Sequence, residues 1–329
     1  MTRGAAMTAK LRIGSRPSAL ALAQTTLVAE RIAAAAGLAY EIVRISTTGD
    51  KLTTASLAQA GGKGLFIREL EQALAAGRID LAVHSMKDLP ATTPPGFRIV
   101  AVPTRENPRD ALLLRGGGGW NSLTRGARLG TASTRRRLMA LKSRPDLEIA
   151  PLRGNVDTRL AKLVAGKFDA IILAMAGLAR LGRLDEIRRG GAGGIMLSEL
   201  DEREFVPAGG QGALALEAFG DGPVANSAEI EAAVAALDDP AARAETTAER
   251  AFLATIGASC VSPVGVRAAA RDGAFTLRAI LFSRDGARSL EETAATDWRP
   301  GDWAAATQLG ATAGARIIAR GGRDLIEGD

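Results

Sequence analysis

The chain switches repeatedly between short apolar, β-branched runs and longer Ala/Leu-rich runs with helical spacing. Leu11–Ser15 alternates like a strand, Pro17 sits where a helix can begin, Ser18–Ala36 is a helical run, and Gly37 is a natural stop. Tyr40–Thr47 follows as a strand and Phe66–Ala76 as a helix, with the polar, Gly-rich stretch Thr48–Gly64 as a long loop between them. Asp80–Ser85 and Phe97–Val102 are further short strands. Strands joined through helices run parallel, so this order predicts a mostly parallel sheet covered by helices on both faces.

After Pro103 the pattern restarts. Ala111–Arg115 and Arg128–Thr131 read as strands, Thr134–Arg144 as a basic helix, Glu148–Leu152 as a strand, Thr158–Ala165 as a helix and Ala170–Ala174 as a strand. A second α/β unit is therefore expected. Phe205–Glu217 passes through Val-Pro-Ala-Gly-Gly-Gln-Gly into another apolar strand. Helices at Ala228–Leu237 and Ala241–Ile256, strands at Val264–Ala270 and Phe275–Phe282, and a last helix near Trp303–Arg316 fit a small α+β unit. No internal sequence repeat is evident, although the first two units share a pattern. A length of 329 residues suits two or three such domains.

Composition narrows the function classes. No stretch reaches the roughly 18 apolar residues of a membrane span, and Met1–Lys10 does not read as a secretion signal. One cysteine cannot form an internal disulfide, and one Cys with one His excludes the usual structural zinc sites. A reducing compartment, the cytoplasm, is the expectation. The net charge of +6 calls for an acidic partner, but 4% aromatic residues leave little to stack nucleic-acid bases on. A monomer without nucleic-acid or membrane partners is expected.

The cations recur at the ends of predicted strands, where ligands of open α/β sheets bind. Arg16 follows the first strand, and Lys87 and Asp88 follow Ser85. Arg135, Arg136 and Arg137 follow Thr131, Arg153 and Arg159 flank the turn after Leu152, and Arg180 follows Ala174. Guanidinium forks match carboxylates in bidentate fashion, and helix N-termini add anion-binding N–H groups. Any one of these cations is most simply a solvated surface charge. Five strand ends together predict one cationic cleft for a ligand with many carboxylates or phosphates.

Other residues leave alternatives open. Asp88 is an acid in basic surroundings. It either steadies a transient positive charge and shuttles a proton, or merely pairs with Lys87 or caps a helix. His84, the only histidine, reads as a hydrogen-bonded packing residue on a strand. Cys260, in Gly-Ala-Ser-Cys-Val-Ser-Pro, is a bystander or an attachment point. Gly61-Gly62-Lys63-Gly64 lacks the Ser or Thr after Lys that a phosphate loop needs, and reads as a basic lid.

Several long strings resemble the porphobilinogen deaminase family. They are Arg12-Ile-Gly-Ser-Arg-Pro-Ser18, Gly61-Gly-Lys-Gly-Leu-Phe66, Val83-His-Ser-Met-Lys-Asp88, Leu152-Arg-Gly-Asn-Val-Asp-Thr-Arg-Leu160, Ala170-Ile-Ile-Leu-Ala174 and Gly209-Gly-Gln-Gly212, with Cys260 in order after them. The resemblance implies an α/β fold with two doubly wound lobes like those of periplasmic binding proteins, plus a small α+β C-terminal domain. It places residues 1–103 and 207–231 in the first lobe, 104–206 in the second and 232–329 in the third domain. It implies a dipyrromethane cofactor attached through a thioether to Cys260. It also implies stepwise condensation of porphobilinogen, with loss of ammonia through an azafulvene, to the linear tetrapyrrole hydroxymethylbilane.

By position, Asp88 matches the family's catalytic aspartate, and Lys87, Ser133, Arg135 and Arg136 match residues that hold the cofactor. Arg16, Ser18, Arg153, Arg159 and Arg180 match substrate-side positions, and Lys63 falls in the covering loop. Departures are Ala132 in place of a first serine, Gln59 in place of a lysine, and Ala258-Ser259 before the cysteine where two glycines are common. The rival expectation is a non-enzymatic two-lobed anion-binding protein.

Overall fold

The computed structural model describes residues 10–48, 67–190, 193–259, 262–271 and 273–327. The expected loop Thr48–Gly64 and the start of the helix expected at Phe66 lie almost wholly outside these, as does Cys260. Among the described residues the strands form three sheets.

The first sheet has the order β2-β1-β3-β10-β4, with β1 Leu11–Ser15, β2 Tyr40–Arg44, β3 Leu81–Ser85, β4 Phe97–Ala101 and β10 Leu214–Phe219. β1 runs parallel to β2 and β3, whereas β10 runs antiparallel to β3 and β4. Leu11 and Ile13 alternate onto one face, where they meet Val28, Ala29 and Ile32 of α1, Ala19–Ala36. The Ser18 hydroxyl caps α1 by accepting from the Ala21 N–H at 3.3 Å, and Gly37 ends it at φ 62°. The 18 residues of α1 are apolar enough to cross a membrane by length and composition alone, contrary to expectation. Its scattered Gln, Thr, Glu and Arg hid that, and its inner stripe is packed on the sheet. The opposite face of the sheet is covered by α2, Arg68–Ala75, through Leu70, Ala73 and Leu74.

The second sheet repeats the plan. Its order is β7-β6-β8-β5-β9, with β5 Asp110–Arg115, β6 Arg128–Gly130, β7 Glu148–Ala150, β8 Ala170–Ala174 and β9 Ile195–Glu199. β6 is parallel to β7 and β8, and β5 is antiparallel to β8 and β9. In each sheet the fourth strand in order is thus reversed. β10 is contributed by chain that has already passed through the second lobe, so two crossings join the lobes. Helices α3 Thr134–Ser143, α4 Val156–Val164, α5 Met175–Arg180 and α6 Arg183–Arg188 belong to this lobe, and α7 Ala228–Ala235 packs against the first.

The third unit is an antiparallel meander of β11 Val264–Arg271, β12 Ala274–Phe282 and β13 Ser289–Asp297. It is backed by α8 Pro240–Thr255 and α9 Trp303–Ala319, and α10 Gly322–Glu327 ends it. The two long helices pack closely: a Cβ on Gly310 would lie 2.0 Å from the Ala248 carbonyl oxygen.

Several elements escaped the sequence. α5, α6, β9, β13 and α10 were not expected. β13 carries polar residues on nearly every outward position, because it is an edge strand with one face in solvent. α5 continues the apolar run of β8, so periodicity shows no break. The apolar strand expected after the Val-Pro-Ala-Gly-Gly-Gln-Gly stretch is β10, which begins at Leu214 once Gly210 and Gly212, at φ 73° and 89°, have turned the chain.

Candidate active site

The parallel strands of each lobe end at the junction, and the helices that follow them supply the cations. Lys87 and Asp88 lie on a single 3₁₀ turn, Met86–Asp88, directly after β3. The half-buried Lys87 ammonium donates to Gln211 Oε1 at 3.4 Å. Burial, reinforced by the positive charge of Arg136 and opposed by Asp88 and Asp110, pushes its pKa down to about 8. Asp88 is exposed, and among the described residues nothing hydrogen-bonds its carboxylate.

Arg135 and Arg136 occupy the first turn of α3, whose N-cap is Ser133. Both expected cofactor arginines are in fact engaged by Asp110, the first residue of β5. Arg136 donates from Nε and Nη2 to Asp110 Oδ1 at 3.0 and 2.7 Å, and from Nη1 to the Ile172 carbonyl at 3.0 Å. Arg135 Nη2 lies 2.8 Å from Asp110 Oδ2, and its Nη1 donates to the Val206 carbonyl at 2.8 Å. Burial opposes ionisation of Asp110, but the two guanidinium groups and a bond from Gln211 outweigh it and hold its pKa at about 2. Arg136 lines the cleft, whereas Arg135 sits behind it against Phe205. Arg137, in turn, donates to the Arg284 carbonyl in the third unit at 2.9 Å.

Arg159 on α4 donates from Nε to the Gly154 carbonyl at 2.7 Å, and burial with nearby Arg136 lowers its pKa. Arg180, at the end of α5, reaches across to the Gly212 carbonyl at 2.6 Å; burial holds it at about 10 against the pull of Glu106. Lys87 from the first lobe and Arg136, Arg159 and Arg180 from the second therefore line one cleft. The wall between them is completed by Gln24 of α1, bonded to Ser85 at 3.1 Å, and by the turn around Gly212.

The other expected residues are placed less centrally. Arg16 and Ser18 sit at the carboxyl end of β1, on the sheet edge that also carries Lys87, and the Ser18 hydroxyl is occupied as a helix cap. Arg153 is exposed before α4 and engaged within the protein. Lys63 and Cys260 lie outside the described residues; the Ser259 N–H donates to the Ser262 hydroxyl at 2.9 Å. His84 is buried with its Nε2 3.1 Å from Glu217 Oε2, but neither atom makes a hydrogen bond among the described residues, so it is packed without the hydrogen bond expected of it.

Sequence reasoning missed Asp110, which has no local signal. It also passed over Gln211, although that residue stood inside a singled-out string. Gln211 is buried and bonds Lys87, Asp110 and the Pro108 carbonyl, so it ties the cleft-lining Lys87 to the carboxylate behind the arginines.

A family model described as "Porphobilinogen deaminase, dipyromethane cofactor binding domain" matches residues 11–225. The chain belongs to the porphobilinogen deaminase family. The family's C-terminal domain matches residues 243–319, which is the third unit. The deaminase of Syntrophobacter fumaroxidans is 42% identical over 318 residues, covering 96% of this chain and 97% of that one. The deaminase of Roseiflexus castenholzii is 43% identical over 322 residues, covering 97% and 99%. Solved structures overlap more loosely. A Bordetella pertussis BvgS VFT2 domain reaches a TM-score of 0.40 at 14% identity over 68% of this chain and 84% of its own. An ancestral arginine-binding protein bound to arginine reaches 0.36 at 17% identity over 70% and 92%. The deaminase cofactor, dipyrromethane, is the group that the first matched domain binds.

Proposed function

We propose that this deaminase-family chain is a hydroxymethylbilane synthase, condensing four porphobilinogens head to tail with release of four ammonias and consumption of one water. The observation that carries the reading is the cleft itself. Two lobes deliver Lys87, Arg136, Arg159 and Arg180 to one cavity, and Asp88, next to Lys87 on the same turn, carries a carboxylate that nothing hydrogen-bonds among the described residues. Each substrate ring bears an acetate and a propionate, so four cations suit the growing polyanion.

The donor set also fits the cofactor's carboxylates. Arg136 keeps two of its five N–H groups clear of the protein bonds described above, and Lys87 has one weak partner. Dipyrromethane supplies the terminal pyrrole carbon on which the chain is built. Lys87, Ser133, Arg135 and Arg136 are the residues assigned to hold it, and Cys260, the chain's one thiol, to anchor it. Asp88 is assigned to balance the positive charge that develops on a pyrrole nitrogen, a task for a fixed carboxylate with no other bond to break. Arg16, Ser18, Lys63, Arg153, Arg159 and Arg180 are assigned to substrate. The functional units are residues 1–103 with 207–231, 104–206, and 232–329. The protein acts as a monomer in the cytoplasm, where a lone thiol stays reduced for thioether formation.

Intact mass spectrometry after incubation with porphobilinogen tests the reading. A dipyrromethane adduct and a ladder of further pyrrole increments are expected, and Cys260→Ser protein is expected to show neither. Wild-type protein without adduct or ladder would remove the basis of the proposal.

A further inference from the structure

Asp110 opens β5 immediately after the first crossing, and its side chain is fully buried, with 0% exposure. Its carboxylate accepts hydrogen bonds from Arg136 and Gln211 and is ion-paired with Arg135. Arg136 and Arg135 bind it as described, and Gln211 Nε2 donates to Oδ1 at 3.0 Å. Gln211 Oε1 in turn accepts from Lys87 at 3.4 Å. One buried negative charge is thus linked to cations from both lobes.

The need for that charge is local. Arg135 and Arg136 are adjacent, buried to 5% and 7% exposure, and sit on the first turn of α3, where the helix dipole is also positive. Two guanidinium groups in that position require a counter-ion. Asp110 supplies it from behind, which leaves the cleft-facing side of Arg136 open.

We propose that Asp110 is a positioning residue for this site: it orients Arg136 toward the cleft and, through Gln211, sets the place of Lys87 across from it, so that the cationic wall is arranged before the cofactor's carboxylates arrive. The inference rests on the functional reading above. Asp110 itself lies behind the wall and does not touch the cofactor.

The test uses cofactor-free protein, made in cells that cannot form porphobilinogen, as wild type, Asp110→Asn and Asp110→Glu. Circular dichroism first establishes that each is folded. Two readouts follow: the rate at which the adduct appears on adding porphobilinogen, by intact mass, and the pH profile of Lys87 modification by an amine-reactive ester, by peptide mass. Asp110→Asn is expected to slow adduct formation about tenfold and to move the Lys87 profile to lower pH, because the charges remaining near Lys87 are Asp88 and two arginines. Asp110→Glu is expected to restore most of both. Removing a negative charge would by itself hasten capture of an anion, so slower loading reports lost arrangement. Folded Asp110→Asn protein that loads at the wild-type rate or faster, or whose Lys87 profile is unmoved, overturns the proposal. Should Asp110→Asn not fold, Gln211→Met, which cuts the link and keeps every charge, must slow loading; normal loading overturns it. Wild-type protein that never gains the adduct would instead sink the functional reading, and the Lys87 profiles, which need no cofactor, would still decide on Asp110.

Discussion

Asp88 and Lys87 are neighbours in sequence with opposite surroundings. Lys87 is drawn into the wall of the cleft and loses part of its hold on a proton, whereas Asp88 stays exposed with no hydrogen bond to its carboxylate among the described residues. A carboxylate free of structural duty can be neutralised without disturbing the fold. Asp88→Asn is therefore expected to keep the adduct mass and the wild-type melting curve while turnover falls at least about a hundredfold. Near-normal porphobilinogen consumption by this variant would refute its assigned role. The pair was visible in the sequence because both residues follow a recognisable strand. Asp110 was not, since a single acid at the start of a strand looks like any other until Arg135 and Arg136 are folded over it.

At the level of elements, the turn before β10 controls how closely the two crossings approach. Gly212 adopts φ 89°, and a Cβ there would lie 2.2 Å from the Glu106 carbonyl oxygen and 3.2 Å from Pro108 Cα. Its own carbonyl accepts from the Glu106 N–H at 3.2 Å and from Arg180 at 2.6 Å. Gly212→Ala is therefore expected to destabilise the protein by about 3 kcal/mol, read as a lower urea midpoint. An unchanged midpoint would mean that the crossings have room to spare. The Gly-Gly-Gln-Gly string marked this turn in the sequence, and the apolar strand expected after it is β10. β13 was missed because its outward residues are polar, although its pairing with β12 is regular.

For the whole molecule, the buried charges at the lobe junction make stability depend on pH. Asp110 titrates at about 2 in the folded chain against its ordinary 3.8, so its contribution is fully present above 3.8 and is lost as pH falls through about 2. The shift corresponds to about 2 kcal/mol. Urea unfolding of wild type and Asp110→Asn should accordingly show a stability gap at pH 7 that narrows as pH drops from about 4 toward 2. A gap independent of pH would mean that the aspartate acts through shape alone. The shared strand plan of the two lobes, each with its fourth strand reversed, also belongs to this scale. It was only half legible, because alternating strands and helices announce an α/β lobe without saying which distant strand will be inserted into it.

What the sequence determined by itself is local and periodic: the α/β alternation, the helix stop at Gly37, and the recurrence of cations after strands. These follow from side-chain spacing and backbone preference, which act over a few residues. Tertiary structure decided which cations face the cleft, because that depends on contacts between residues far apart in the chain. Lys87 and Gln211 are separated by 124 positions, and Arg136 and Asp110 by 26. A buried carboxylate selects its partners only once the lobes have closed around it.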